Sequence, residues 1–230
     1  MAKVLSKAEW KRRKKLIKYA KLGVILALAI VIVLVLLLGV LKIVRNIFSG
    51  DSGSETSAGT TMKQELNITE YFLTPNDYSR PQLELTEVKG IVIHYVSNAG
   101  STATGNRNYF ESLKDGESGV SASSHFIVGL EGEIVQCIPL NEIAYASKER
   151  NVDTISIEFC HPQIDGKPNA ETYDALVRLT AYLCKEYSLK TEAVLRHYDV
   201  TGKNCPKYYV EDAAAWTQFL ADVAAAMEKK

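Results

Sequence analysis

GIVIHYV, residues 90–96, is the stretch on which the fold turns. It is a short run dominated by β-branched residues with no charge, the pattern of a strand buried in a sheet, and it carries His94 near its C-terminal end. Outward from it toward the C-terminus the chain alternates. Residues 106–114, NRNYFESLK, predict a helix. HFIV (125–128) and EIVQCI (133–138) predict two strands joined as a hairpin through Leu130, Glu131 and Gly132. TISIEFC (154–160) is a further, partly alternating strand. Residues 170–187 form the best amphipathic helix, with Tyr173, Leu176, Val177, Thr180, Leu183, Cys184 and Tyr187 on one stripe at three- and four-residue spacing. AVLR (193–196) is a short strand, and residues 211–228, rich in alanine with acids at the start, make a final helix. Strands alternating with helices place the domain in the α/β class, with a mixed central β-sheet flanked by helices.

Toward the N-terminus the character changes. TPNDYSRPQ (74–82) is turn-rich and reads as an ordered extended segment against the domain surface. SGDSGSETSAGTT (49–61) is too poor in large apolar groups to offset its ordering entropy and reads as a flexible tether. Before it, LGVILALAIVIVLVLLLGVL (22–41) runs 20 residues without a charge. As a helix it would span ~30 Å, the hydrocarbon thickness of a bilayer. A cleaved signal peptide is the competing reading, but its apolar region is usually shorter and ends at a small-residue cleavage site, whereas this run leads into Lys42, Ile43, Val44 and Arg45. The expected order is a basic arm (1–21), a single N-terminal transmembrane helix (22–45), a linker (46–65) and a folded domain (66–230).

The formal net charge of zero conceals an asymmetry. Residues 1–21 hold nine basic side chains against one acid, while residues 46–230 hold 26 acidic and 16 basic side chains. The basic side of a span stays cytoplasmic, so the folded domain is expected outside the cytoplasm of a single-pass membrane protein. A domain this acidic is poorly suited to gripping nucleic-acid phosphates, and no nucleic-acid partner is expected. Nothing in the sequence sets an oligomeric state.

Four histidines (His94, His125, His161, His197) and four cysteines (Cys137, Cys160, Cys184, Cys205) are present. No two cysteines form a C-x-x-C pair, and a disulfide among them is neither demanded nor excluded. RHYDVTGKNCP (196–206) sets His197 at a strand end and Cys205 eight residues later, across a glycine-containing loop that can fold back and bring imidazole and thiol together. On spacing alone the two read as readily as a surface histidine and a core thiol. Glu158, between Ile157 and Phe159, points by strand alternation to the face opposite both.

Taken together, IVIHY (91–95), SHFIV (124–128), SIE (156–158) and HYDVTGKNCP (197–206) resemble the zinc N-acetylmuramoyl-L-alanine amidases of the type-2 amidase and peptidoglycan-recognition-protein superfamily, nearest its prophage and endolysin branch. The motifs occur in the family's order, and the resemblance covers roughly residues 70–222. It implies Zn²⁺ as cofactor, held by His94, His197 and Cys205, with the fourth tetrahedral position left for water as in catalytic sites. Two neutral imidazoles and one thiolate would leave enough positive charge to lower the pKa of water toward ~7. It further implies Glu158 as general base and Lys203 as the positive charge facing the tetrahedral oxyanion. Tyr95, Asn98 and His125 are expected substrate contacts, His125 being read alternatively as structural; His161 is read as a loop residue, and Asp199 as a group that orients a ligand from behind.

Two departures bear on mechanism and specificity. Ser124 stands where some phage relatives carry a catalytic tyrosine, which puts the load on Glu158. Tyr145 and Ala146 stand where many relatives have an aromatic-histidine pair, so one substrate contact is missing. The implied activity is hydrolysis of the amide between N-acetylmuramic acid and L-alanine of the stem peptide in bacterial peptidoglycan. The competing classes are a tethered, non-catalytic peptidoglycan-binding module, which typically lacks the cysteine, and a morphogenetic protein acting through its basic arm.

Overall fold

In the computed structural model, the described residues are 64 and 66–229. The basic arm, the apolar span and nearly all of the linker lie outside them; among the described residues no helix is long and apolar enough to cross a membrane. Six strands form one mixed sheet: β1 (Thr69–Glu70), β2 (Gly90–Tyr95), β3 (Phe126–Val128), β4 (Ile134–Gln136), β5 (Thr154–Phe159) and β6 (Val194–Arg196), in the order β1-β4-β3-β5-β2-β6. Only β3 and β4 pair antiparallel. They form the expected hairpin, and Gly132 turns the chain with φ +78°, a left-handed conformation that glycine adopts without steric cost. β1 leaves no mark in the sequence, because its two residues are too few to show a period.

Alternation along the central strands decides what each face does. Ile91 and Ile93 of β2 and Ile155, Ile157 and Phe159 of β5 point one way and are fully buried in the larger core. That face is covered by α2 (Ala170–Glu186) and α5 (Ala213–Glu228). Each of these isoleucines withdraws a whole side chain from water, worth ~1.5–3 kcal/mol apiece. His94 and Glu158, paired in register across β2 and β5, are left on the opposite face. There α1 (Ala103–Ser112) and the N-terminal segment enclose a second, smaller core with Ile127, Val135, Phe110 and Leu113.

Two helices differ from expectation for visible reasons. α1 starts earlier than residue 106 because the Thr102 side chain accepts from Gly105 N at 3.1 Å and caps it. α2 is buried well beyond a single stripe, taking in Ala175, Leu179, Ala181 and Tyr182, because it packs against α5 as well as the sheet. The final helix forms close to its expected bounds as α5, capped where Asp212 accepts from Ala215 N at 2.9 Å, and a separate short helix, α4 (Lys207–Glu211), precedes it.

The 74–82 segment is ordered, as its turn-rich composition suggested. Asn76 Oδ1 accepts from the backbone N–H groups of Tyr78 and Ser79, and Arg80 forks onto Glu142 at 2.7 and 2.8 Å. Arg107 of α1 donates to the carbonyls of Tyr71 and Phe72, and its guanidinium lies 3.9 Å from the centre of the Tyr71 ring. All four cysteines are free thiols, so no disulfide contributes.

Candidate active site

β2, β5 and β6 run parallel, so their C-terminal ends fall on one edge of the sheet, the place where α/β folds put ligands. β2 delivers His94 and β5 delivers Glu158. β6 ends at Arg196, and the chain passes directly into α3 (His197–Thr201), whose first residue is His197. Asp199 starts this helix by accepting from Arg196 N at 2.8 Å and from the Arg196 guanidinium at 2.7 Å. It therefore fixes the turn that carries His197 and does not hydrogen-bond the imidazole. Gly202 closes α3 with φ +76°, and the returning segment is pinned by Tyr198 N donating to Cys205 O at 2.8 Å.

The result is a buried trio. One ligand atom each from His94, His197 and Cys205 lies within 4.8 Å of the others, the one such group of His, Cys, Asp or Glu among the described residues. His94 Nδ1 stands 3.9 Å from Cys205 Sγ, and the two imidazole rings are 4.5 Å apart, centre to centre. His197 Nδ1 is shut off from solvent with no hydrogen-bond partner. Buried polar nitrogens are rarely left so, and an ion placed among these three atoms would satisfy it. Burial, together with the neighbouring positive groups, drives His94 well below its usual pKa and His197 down to about 4, so both are neutral imidazoles fit to coordinate. Burial pushes the Cys205 thiol up to about 12, a thiol that a divalent cation would have to deprotonate on binding. Two imidazoles and a thiol in this arrangement fit zinc.

Glu158 lies beside the trio. Its Oε2 is buried and has no hydrogen-bond partner, and burial lifts its pKa to about 7 against the opposing pull of Lys203. A carboxylate poised near neutrality can both take and return a proton. The cleft above, about 440 Å³, is lined by His94, Tyr95, Asn98, Asn106, Tyr109, Phe110, Tyr145, Glu158, His197, Lys203 and Cys205. A shallower trough of about 740 Å³ continues past His197 and Lys203 to Lys148, Asn151 and Thr201. Tyr95 and Asn98 both line the cleft.

His125 is not among the lining residues, and its partners fit the structural reading of it in place of a substrate contact. Its ring is 1% exposed beneath the cleft, with Nε2 donating to Glu142 O at 2.9 Å and Nδ1 accepting from Ser156 N at 3.0 Å. Ser124 is likewise buried, its hydroxyl held by the carbonyls of Phe126 and Ser156. His161 also stays out of the metal trio, with its ring nitrogens 2.7 Å from Val96 O and 2.6 Å from Gln163 O. Sequence reading missed Tyr109, Lys148 and Ser147. The first two are exposed residues, on α1 and at the start of a 3-10 turn (Lys148–Val152), with no spacing signal; Ser147 meets His94 only through tertiary contact.

Comparison with known proteins gives the family. The family model described as N-acetylmuramoyl-L-alanine amidase matches residues 84–208. The chain is 36% identical over 166 residues to the N-acetylmuramoyl-L-alanine amidase CwlL of Bacillus licheniformis, covering 67% of this chain and 46% of that protein. It is 31% identical over 184 residues to the N-acetylmuramoyl-L-alanine amidase BlyA of Bacillus subtilis strain 168, covering 71% and 48%. The chain therefore spans about half the length of the curated relatives it matches. Among solved structures, the catalytic domain of XlyA superposes with a TM-score of 0.57 at 26% identity, over 68% of this chain and 99% of that one. The matched residues 84–208 contain β2, β5, β6, Glu158 and all three members of the buried trio, and on that footing the chain belongs to the N-acetylmuramoyl-L-alanine amidase family.

Proposed function

We propose that this protein is a membrane-tethered zinc amidase that hydrolyses the bond between N-acetylmuramic acid and L-alanine in peptidoglycan. The observation that carries the reading is the buried, unpartnered Oε2 of Glu158 beside three mutually close ligand atoms on the floor of an open cleft. His94, His197 and Cys205 would hold the metal, which when bound supplies Lewis-acid polarisation of the scissile carbonyl and acidifies water. Glu158 takes the proton from the attacking water and delivers it to the leaving amine nitrogen, so the peptide departs as a free amine. Lys203, whose ammonium acts on His94, Glu158, His197 and Cys205 alike, offsets the negative charge that builds on the carbonyl oxygen. Tyr95 and Asn98 line the cleft and contact the substrate beside the reacting bond. Retention of Cys205 with both histidines speaks against the non-catalytic binding module.

In this reading residues 22–45 anchor the protein in a bacterial cell membrane, with residues 1–21 in the cytoplasm and the catalytic domain outside, where peptidoglycan lies. The apolar length of the span and the charge difference across it support that topology. The decisive experiment is digestion of purified peptidoglycan by the zinc-loaded protein followed by mass spectrometry. Release of peptides with a free L-alanine amine is expected; a new reducing sugar end in its place would overturn the assignment.

A further inference from the structure

His94 has two ring nitrogens, and only Nδ1 faces Cys205. For Nδ1 to offer a lone pair to a metal, the proton of the neutral ring must sit on Nε2, and whatever meets Nε2 decides how well it stays there. What meets it is Ser147 Oγ, at 3.2 Å. Ser147 is 1% exposed, so bulk water does not compete for this contact. Its backbone is itself held in place: Asn151 Oδ1 accepts from Ala146 N at 3.1 Å and from Ser147 N at 2.5 Å, and Arg150 N donates to Ser147 O at 3.0 Å. Lys148, the next residue, turns the chain with φ +51°, a conformation uncommon for a side chain of its kind and a sign that this loop has a required shape. No motif in the sequence marks Ser147; the fold brings it to His94 across 53 positions.

From this geometry we infer that Ser147 is a positioning residue for the metal site: its hydroxyl accepts from His94 Nε2–H, fixes the ring with Nδ1 toward the ion, and is itself aimed by the Asn151 side chain. The inference rests on the metal-holding role given to His94 above and assigns a layer behind it. Groups that hold a ligating imidazole in this way typically contribute 10–100-fold to metal affinity.

The test is the zinc dissociation constant of the full chain in detergent, measured by competition with a chromogenic chelator, alongside the melting temperature of the metal-free protein. Ser147→Ala is expected to weaken zinc about 10–100-fold with little change in metal-free melting, and Ser147→Thr, which keeps the hydroxyl, to restore affinity to within a few-fold of the starting protein. Asn151→Ala is expected to weaken zinc in the same direction and Asn151→Asp, which keeps the accepting oxygen, to weaken it less, so that a failure of Ser147→Ala to fold still leaves a decisive pair. Unchanged affinity in Ser147→Ala, or equal loss in Ser147→Thr, overturns the inference while leaving the amidase reading intact. A starting protein that takes up no zinc and releases no peptide overturns both.

Discussion

Glu158, on β5, and His125, just before β3, show how two polar residues close together in the sheet acquire opposite fates. Glu158 sits at the end of β5 with one carboxylate oxygen buried and free of partners, facing the cleft. Replacing it with glutamine keeps size and polarity but removes the proton acceptor. Glu158→Gln is therefore expected to lower kcat by ~10²–10⁴ while zinc content and binding to cell wall stay near the starting values, checked by steady-state assay, metal analysis and pelleting. Equal loss of zinc would mean that the carboxylate supports the metal instead. His125, one strand away, spends both ring nitrogens on buried backbone groups. His125→Ala would strand Ser156 N–H and Glu142 C=O, a cost on the order of 3 kcal/mol in urea unfolding, with KM unmoved because the ring lies outside the cleft. A histidine in a family motif looks equally catalytic in either place; only the partners of its nitrogens separate the two.

At the scale of elements, the N-terminal segment and α1 are locked to each other through Glu111. Burial of Glu111 opposes its ionisation, but hydrogen bonds from Thr74 and the charges of Arg107 and Lys114 outweigh this and hold the carboxyl below its usual 4.5. A carboxyl with a depressed folded-state pKa stabilises the fold at pH above its unfolded value, and that contribution disappears as the pH falls through the folded value. The stability carried by this junction is thus expected at neutral pH and lost in the acid range below about 4.5, the usual value. Glu111→Gln should lower the melting temperature at pH 7 and flatten its decline below that range, measured by thermal unfolding across a pH series. An identical acid profile in the two proteins would show that Arg107 is satisfied by the Tyr71 and Phe72 carbonyls alone.

For the whole molecule, the proposed topology places a basic arm on one side of a membrane and an acid-rich catalytic domain on the other, joined by an apolar span and a polar tether. Expressed in a bacterium, the protein is expected to remain in the membrane pellet after alkaline extraction, with its N-terminal residues intact by mass spectrometry, and removal of residues 1–45 to release it. A mature chain beginning after residue 45 would establish a signal peptide instead.

Much of this was legible in the sequence. The β-branched runs at 90–96 and 154–160 specified buried strands because burial on both faces leaves little place for charge, and the period of 170–187 specified a helix against the sheet. The motif resemblance singled out His94, His197 and Cys205, which the fold brings together and which spacing alone left open. Tertiary structure alone decided that parallel strands bring His94, Glu158 and His197 to one edge, that His125 turns under the cleft, and that Ser147 stands behind His94. Strand and helix periods are local and can be read along the chain. The partners of a buried nitrogen are set by packing between segments far apart in sequence, and no local pattern records them.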